Sequence, residues 1–228
     1  MRTIAIIPAG GKGIRGGTAA PKQYLKFSDK ELIVYTLGIF QQNEMIDEII
    51  ISAEGNYINL LNDLKEKYNL SKVSKVVVGG DTRQDSVYNA LKSLTDAADY
   101  DLIAVHDAAR PLLPHEVLTD AVQTAKQKGN ALVCIKAKDT LIKGNKVVES
   151  FLERDEVYYV QTPQIFPYSI LMKAMRNAYE NNFVGTDESM LVRQIGEKVN
   201  VVEGSIYNFK VTTADEIKMF ERLISTSS

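Results

Sequence analysis

Three cations, Lys12, Arg15 and Lys22, lie in a loop that also holds Gly10, Gly11, Gly13, Gly16 and Gly17 and carries no acidic residue. The loop follows the apolar run Ile4–Ile7, which reads as a buried strand. Bare backbone N–H groups and positive charge directly after a strand are what a polyphosphate needs: close approach, then neutralisation. The letters from Gly11 to Gly16 match the dinucleotide fingerprint G-x-G-x-x-G. That motif must open a helix inside its glycines, and Gly17 and Pro21 interrupt such a helix. A Walker loop is excluded because no glycine is followed by Lys-Ser or Lys-Thr. What remains is a long basic loop over a phosphate chain, with a glycine-rich turn of solvated cations as the alternative.

Other residues with chemical potential lie at similar places. Asp107 follows the apolar run Leu102–Val105, where a carboxylate can hold Mg²⁺ or a ribose hydroxyl, cap a helix, or pair with Arg110. Gly79-Gly80-Asp81 follows Lys75–Val78 and reads as a strand-to-helix turn with Asp81 as N-cap; Arg83 is expected to anchor it through Asp85. Lys210, among the apolar neighbours of Asn208–Thr212, is either a snorkelling edge residue or a phosphate ligand. His106 and His115 lack metal-ligand spacing and read as structural.

The elements that must position these residues alternate along the chain. Strand-like Ile4–Ile7, Glu48–Ser52, Lys75–Val78, Leu102–His106 and Ala131–Lys136 are followed or separated by helix-like Glu31–Gln42, Asn56–Tyr68, Arg83–Leu94 and Glu116–Lys128. This order predicts a Rossmann-like α/β fold, a mostly parallel twisted sheet flanked by helices, with ligands bound at the carboxyl ends of the strands. The rhythm breaks at Lys138–Val160, whose short β-prone pieces around Gly144-Asn145 predict an arm projecting from a single domain spanning residues 1–228. Helices are expected over Tyr168–Asn181, from Thr186, and from a capping box at Thr213–Glu216, with a strand at Lys198–Val202.

The totals limit the partners. Net charge is −2 over 228 residues, which argues against nucleic acid or an anionic membrane as the main partner. A single cysteine, Cys134 in an apolar run, fits a core position in a reducing, cytoplasmic protein. No stretch is long enough to span a bilayer, and the first strand begins too early to leave room for a signal peptide.

Read in order, PAGGKGIR (Pro8–Arg15), PKQ (Pro21–Gln23), GGDTRQDSV (Gly79–Val87), HDAARP (His106–Pro111), TPQIF (Thr162–Phe166), TDES (Thr186–Ser189) and NFKVTTADE (Asn208–Glu216) resemble the sugar-phosphate nucleotidyltransferases, nucleotide-diphospho-sugar transferase type, and within them the methylerythritol phosphate cytidylyltransferase family. Gly16 departs from the large apolar residue usual there. The resemblance implies CMP transfer from CTP to a sugar-alcohol phosphate with release of pyrophosphate, assisted by Mg²⁺. It implies Arg15, Lys22 and Lys210 as catalytic cations. It implies CTP contacts at Pro8, Ala9, Gly10, Gly11, Lys12, Gly13, Gly80, Asp81, Ser86, Asp107 and Ala108, with Asp107 also on the metal; Lys12 touches the β- or γ-phosphate or is simply solvated. On the acceptor side it implies Arg110, Thr140, Arg154, Thr162, Thr186 and Asp187. Thr162 and Thr186 have plainer readings as a turn former and a helix cap. Arg154 is expected to reach the partner's site in a homodimer with exchanged arms. Ribitol 5-phosphate as acceptor is the nearest alternative, and a non-catalytic nucleotide-binding module is the alternative of another class.

Overall fold

The strand β1 (Thr3–Pro8) lies at the middle of the sheet and carries side chains to both faces, as an apolar run in a parallel sheet must. Ala5 and Ile7 enter one core and Ile4 and Ile6 the other, the alternation a strand imposes. The structure is a computed structural model that describes residues 1–11 and 21–226. Lys12, Gly13 and Arg15 lie outside the described residues.

After β1 come a short ribbon, β2 (Lys26–Phe27) with β3 (Lys30–Glu31), and α1 (Leu32–Gln42). Then β4 (Glu48–Ala53), α2 (Ile58–Lys67), β5 (Val73–Val78), α3 (Arg83–Lys92), β6 (Leu102–Val105), α4 (His115–Lys128) and β7 (Ala131–Lys136) alternate as expected. A hairpin of β8 (Leu141–Gly144) and β9 (Val148–Leu152) follows, then β10 (Tyr158–Pro167), α5 (Tyr168–Glu180), α6 (Glu188–Gln194), β11 (Val201–Glu203) and α7 (Ala214–Ser225). Among the described residues seven strands form the central sheet in the order β11-β7-β10-β6-β1-β4-β5. Every neighbouring pair is parallel except those of β10, which runs antiparallel between β6 and β7.

The order fixes where a ligand can sit. From β1 the chain moves outward through β4 and β5, then returns to place β6 on the other side of β1. The crevice at such a reversal lies beyond the carboxyl ends of β1 and β6. Helices α1, α2 and α4 cover one face and α3, α5 and α6 the other, so that end is left to loops.

Four local expectations are corrected. The sequence suggested an arm as far as Val160, but Tyr158–Val160 already belong to β10. That strand escapes a periodicity reading because Gln161–Gln164 are polar and include Pro163, which central strands disfavour. A register irregularity between Val160 and Gln164 accommodates them. Thr82, not Asp81, caps α3: its side chain accepts from the Asp85 N–H while Asp85 accepts from the Thr82 N–H, a reciprocal box. Asp187, not Thr186, caps α6 by accepting from the Met190 N–H. The strand expected at Lys198–Val202 is the shorter Val201–Glu203.

The last helix begins as expected at the Thr213–Glu216 box and closes a small cluster of Phe27, Leu32, Ala109, Val211 and Phe220. The Phe220 ring meets Phe27 and Tyr35 edge-on at 5.3 and 5.2 Å. Val211 donates to the Ala109 carbonyl at 2.8 Å, so this cluster sets the place of Lys210 beside the end of β6. Phe220→Ala is expected to lower unfolding free energy by about 3–5 kcal/mol in urea titration. Met219→Ala, on the exposed side of the same helix, should stay within about 0.5 kcal/mol of the parent.

Candidate active site

The loops after β1, β5 and β6 and the segment before α7 enclose a cleft of about 550 Å³. Its walls bring together Pro8, Ala9, Gly10, Gly11, Lys22, Asp81, Ser86, Asp107, Ala108 and Lys210, all expected at the site from their position in the sequence or from the family resemblance. Gln23, Thr82, Arg83, Ala109 and Thr212 complete them.

The far end of the glycine loop is tied back to its start. The Gln23 amide donates to the Ala9 carbonyl at 2.7 Å and the Gly11 carbonyl at 3.0 Å, and the Tyr24 hydroxyl also donates to Ala9, at 3.1 Å. Burial holds the Tyr24 phenol well above its ordinary pKa, so it remains a donor. Pro21 precedes the short 3-10 turn Lys22–Tyr24 with its restricted backbone, and Lys22 thereby faces the cleft. The sequence contains Gln23 inside a motif, yet a lone polar residue gives no sign that it clasps two carbonyls.

On the opposite wall, Ser86 accepts from the Gly80 N–H at 3.1 Å and donates to the Thr82 carbonyl at 3.0 Å. A Cβ on Gly80 would stand 2.2 Å from that of Asp85, and one on Gly10 would stand 3.2 Å from the Ser86 hydroxyl. Gly80 is therefore required by close approach, Gly10 is tightly confined by Ser86, and both leave backbone groups facing the cleft.

The centre is the Asp107 carboxylate. Its Oδ1 accepts from Arg83 Nε at 3.0 Å; its Oδ2 accepts from Arg110 Nε at 3.3 Å and pairs with Lys210 Nζ at 3.0 Å. Burial alone would raise the Asp107 carboxyl, but the charges of Arg83, Lys210 and Arg110 outweigh it and hold the group well below the usual carboxylate range. Arg83 also forms a two-pronged pair with Glu188, at 2.7 and 3.0 Å. Burial works against the Arg83 charge, and Glu188 and Asp107 more than restore it. The expected Arg83–Asp85 anchor is thus replaced: Asp85 bonds Thr82 and the Tyr179 hydroxyl instead.

Behind Asp107, polar groups interlock in one way. His106 is fully buried, and its Nε2–H donates to the Arg110 carbonyl at 3.2 Å. Its Nδ1 then accepts from the Thr162 hydroxyl at 3.1 Å, whose oxygen accepts from the Asp107 N–H at 3.1 Å. The neutral ring with its proton on Nε2 satisfies every group, and burial pushes the imidazole pKa down to about 4. Thr162, expected on the acceptor side, spends its hydroxyl on this internal support. Asn208 extends it, donating to the Thr162 carbonyl at 2.8 Å while its own carbonyl accepts from Arg110 at 2.6 Å. Thr36 of α1 pins the next residue by donating to the Ala108 carbonyl at 2.9 Å.

The remaining expected residues stand apart from the cleft walls. Arg110 lies just behind them on Asp107 and Asn208. Thr140 is exposed at the base of the hairpin, and Arg154 is exposed with Nη1 on the Lys138 carbonyl at 3.2 Å. Thr186 donates to the Met190 sulfur, and Asp187 caps α6. Cys134 is buried as expected, and burial pushes its thiol up to about 11.

Asp107 and Asp81 are the carboxylates on the cleft walls. Among the described residues no group of three or more His, Cys, Asp or Glu could hold a metal alone. This donor set suits a divalent cation that arrives with phosphate oxygens and takes one carboxylate from the protein. Among the described residues no helix is long and apolar enough to cross a membrane.

A cation-lined cleft at the reversal point of a largely parallel sheet defines a protein that handles a phosphorylated nucleotide. A family model described as IspD: 2-C-methyl-D-erythritol 4-phosphate cytidylyltransferase matches residues 3–226, and the chain belongs to that family. It is 36% identical over 222 residues to the enzyme of that name from Clostridioides difficile, covering 96% of this chain and 92% of the relative. It is 38% identical over 220 residues to that of Bacillus thuringiensis, covering 96% of both. The fold is similar to the crystal structure of the Francisella tularensis 2-C-methyl-D-erythritol 4-phosphate cytidylyltransferase, with TM-score 0.83, 32% identity and coverage of 97% and 99%. It is similar also to that of the 4-diphosphocytidyl-2C-methyl-D-erythritol synthase from Anaerococcus prevotii, with TM-score 0.85, 28% identity and coverage of 98% and 96%.

The buried neutral His106 makes stability depend on pH. Unfolding restores an ordinary imidazole pKa near 6.5, so between that value and about 4 the unfolded chain binds more protons. Stability is therefore expected to fall by up to about 3 kcal/mol as pH drops from 7 to 4. Urea titrations across that range should show this slope, and His106→Gln should flatten it while lowering stability at pH 7.

Proposed function

We propose that this cleft transfers CMP from CTP to 2-C-methyl-D-erythritol 4-phosphate, giving 4-diphosphocytidyl-2-C-methyl-D-erythritol and pyrophosphate, a step toward isoprenoid precursors. The observation that carries the reading is Lys22, Lys210, Arg83 and Asp107 on one cleft together with family membership over residues 3–226. An acceptor phosphate oxygen attacks the α-phosphorus, a new P–O bond forms, and the bond to the β-phosphate oxygen breaks with its electron pair leaving on pyrophosphate. The nucleophile is already an anionic oxygen, so no general base is needed. The barrier lies in bringing anions together and neutralising charge at the α-phosphate.

The chain's residues serve those needs. Gly10, Gly11 and Gly80, with Pro8, Ala9 and Ala108, let the nucleotide approach the backbone, and Asp81 and Ser86 border the cytosine. Lys22 and Lys210, with Arg15 from the glycine loop, neutralise the α-phosphate, and the charge of Lys12 serves the β- or γ-phosphate. Lys210 pairs with Asp107 through a side chain that is 41% exposed, which lets it swing to a phosphate oxygen of CTP. Asp107, relieved of one cation, would then hold Mg²⁺ together with phosphate oxygens, and that ion would supply further neutralisation of the triphosphate.

The acceptor side draws on Arg110, Thr140, Arg154, Thr186 and Asp187, with Thr162 acting only from behind through Asp107. Arg154 and Thr140 lie on or beside the hairpin, whose apolar residues Ile142, Val147, Val148, Phe151 and Leu152 are exposed, Phe151 at 70%. Such a surface favours cover by a second copy. An exchanged arm would carry Arg154 to the partner's cleft, within a single catalytic domain spanning residues 1–228.

Pyrophosphate release tests the reading. With CTP and Mg²⁺, methylerythritol phosphate should give a much higher kcat/KM than ribitol 5-phosphate. The opposite ratio would change the acceptor, and CTP binding without pyrophosphate from either would leave a binding module. Lys22→Ala should lower kcat by about 10²–10³. Sedimentation should give about twice the 25.4 kDa chain mass, and a monomer would remove the role of Arg154 in a shared site.

A further inference from the structure

Glu188 is 1% exposed, opens α6, and is absent from the cleft walls, yet it takes both outer nitrogens of an arginine that lines the cleft. A buried ion pair is weak evidence for stability, since apolar replacements often do as well. Its geometric effect is more specific. A carboxylate that accepts from Nη1 and Nη2 fixes the plane of the guanidinium, because both groups are flat and meet at two points. With the plane fixed, the remaining Nε–H is directed at Asp107 Oδ1, 3.0 Å away. Asp107 Oδ1 is thereby held from one side, and Oδ2 is left to Arg110 and Lys210.

The segment that carries Glu188 has other anchors. Gln84 accepts from the Gly185 N–H at 3.0 Å and donates to the Phe183 carbonyl at 3.3 Å. Gln164 accepts from the Ser189 N–H at 2.8 Å. Removing the Glu188 charge therefore leaves the segment attached by three other bonds, and its effect on Asp107 can be separated from its effect on the loop.

We infer that Glu188 is a positioning residue for the transfer reaction: acting through Arg83, it sets the rotation of the Asp107 carboxylate and so the point from which Lys210 passes to the phosphate chain. The inference rests on the cytidylyl-transfer reading of the cleft. The coupling crosses 105 residues of sequence and joins the segment bearing Thr186 and Asp187 to the nucleotide side of the site.

A double-mutant cycle tests it. Pyrophosphate release from CTP, methylerythritol phosphate and Mg²⁺ is followed for the parent, Glu188→Gln, Asp107→Asn and the double variant, at enzyme concentrations high enough to read the slow background. Glu188→Gln is expected to lower kcat by about a hundredfold, the effect of a displacement near 1 Å at a reacting centre. KM for CTP should change by less than about threefold, since the cleft walls are kept. In the Asp107→Asn background the same substitution should cost less than about threefold, because the group it positions is gone. Arg83→Lys, which keeps the charge and loses the fork, should reproduce the Glu188→Gln phenotype, and it carries the test if Glu188→Gln does not fold. Gln84→Ala loosens the segment without touching Asp107, so its cost should be equal in both backgrounds. An equal cost of Glu188→Gln in both backgrounds, or parent-like kcat in either Glu188→Gln or Arg83→Lys, would overturn the inference. A parent enzyme that releases no pyrophosphate would instead overturn the transfer reading on which it stands.

Discussion

One carboxylate holds the site together. Asp107 sits at the end of β6, beside the point where the sheet reverses, and gathers Arg83 from α3, Arg110 from its own loop and Lys210 from the segment before α7. Without it those three charges would repel one another across a narrow cleft. With it they wait close together in a partly buried place, where each is worth more to an incoming anion than it would be in water. The sheet order, the buried His106–Thr162 support and the Phe220 cluster all serve to keep that carboxylate and its partners in place.

The arrangement suits a reaction between two anions. A site that relied on fixed, unpaired cations would suffer their mutual repulsion while no ligand is bound. Pairing lowers that cost, and under the proposed reading an exchange is made on binding, in which phosphate oxygens would take over the role Asp107 plays for Lys210. The glycines work on the other half of the problem. At Gly80 the approach of Asp85 leaves no room for a side chain, at Gly10 Ser86 stands close, and the cleft gains backbone groups in place of bulk.

Much of this was readable in the chain. The parallel strands and covering helices follow from apolar periodicity, and the residues at strand ends proved to share one cleft. The missed features have definite physical causes. β10 hides because its centre is Gln161–Gln164 and contains a proline, and only pairing on both sides explains why it is a strand. The cap of α3 was misplaced by one residue because Asp81 and Thr82 both have capping chemistry; the Thr82–Asp85 spacing of a capping box was the deciding signal. The Glu188–Arg83 pair joins residues far apart in sequence, and no local pattern announces it. The phosphate-ligand reading of Lys210 rests on resemblance alone, since an apolar neighbourhood fits a snorkelling lysine equally well, and nothing local in the sequence announces its pair with Asp107.

The exchange at Asp107 is the central claim, and a crystal structure with CTP and Mg²⁺ tests it most directly. The account predicts that Lys210 Nζ, now 3.0 Å from Asp107 Oδ2, leaves that oxygen for one on the α-phosphate, while Arg83 stays on Oδ1. Lys210 still paired with Asp107 over a fully bound nucleotide would contradict it.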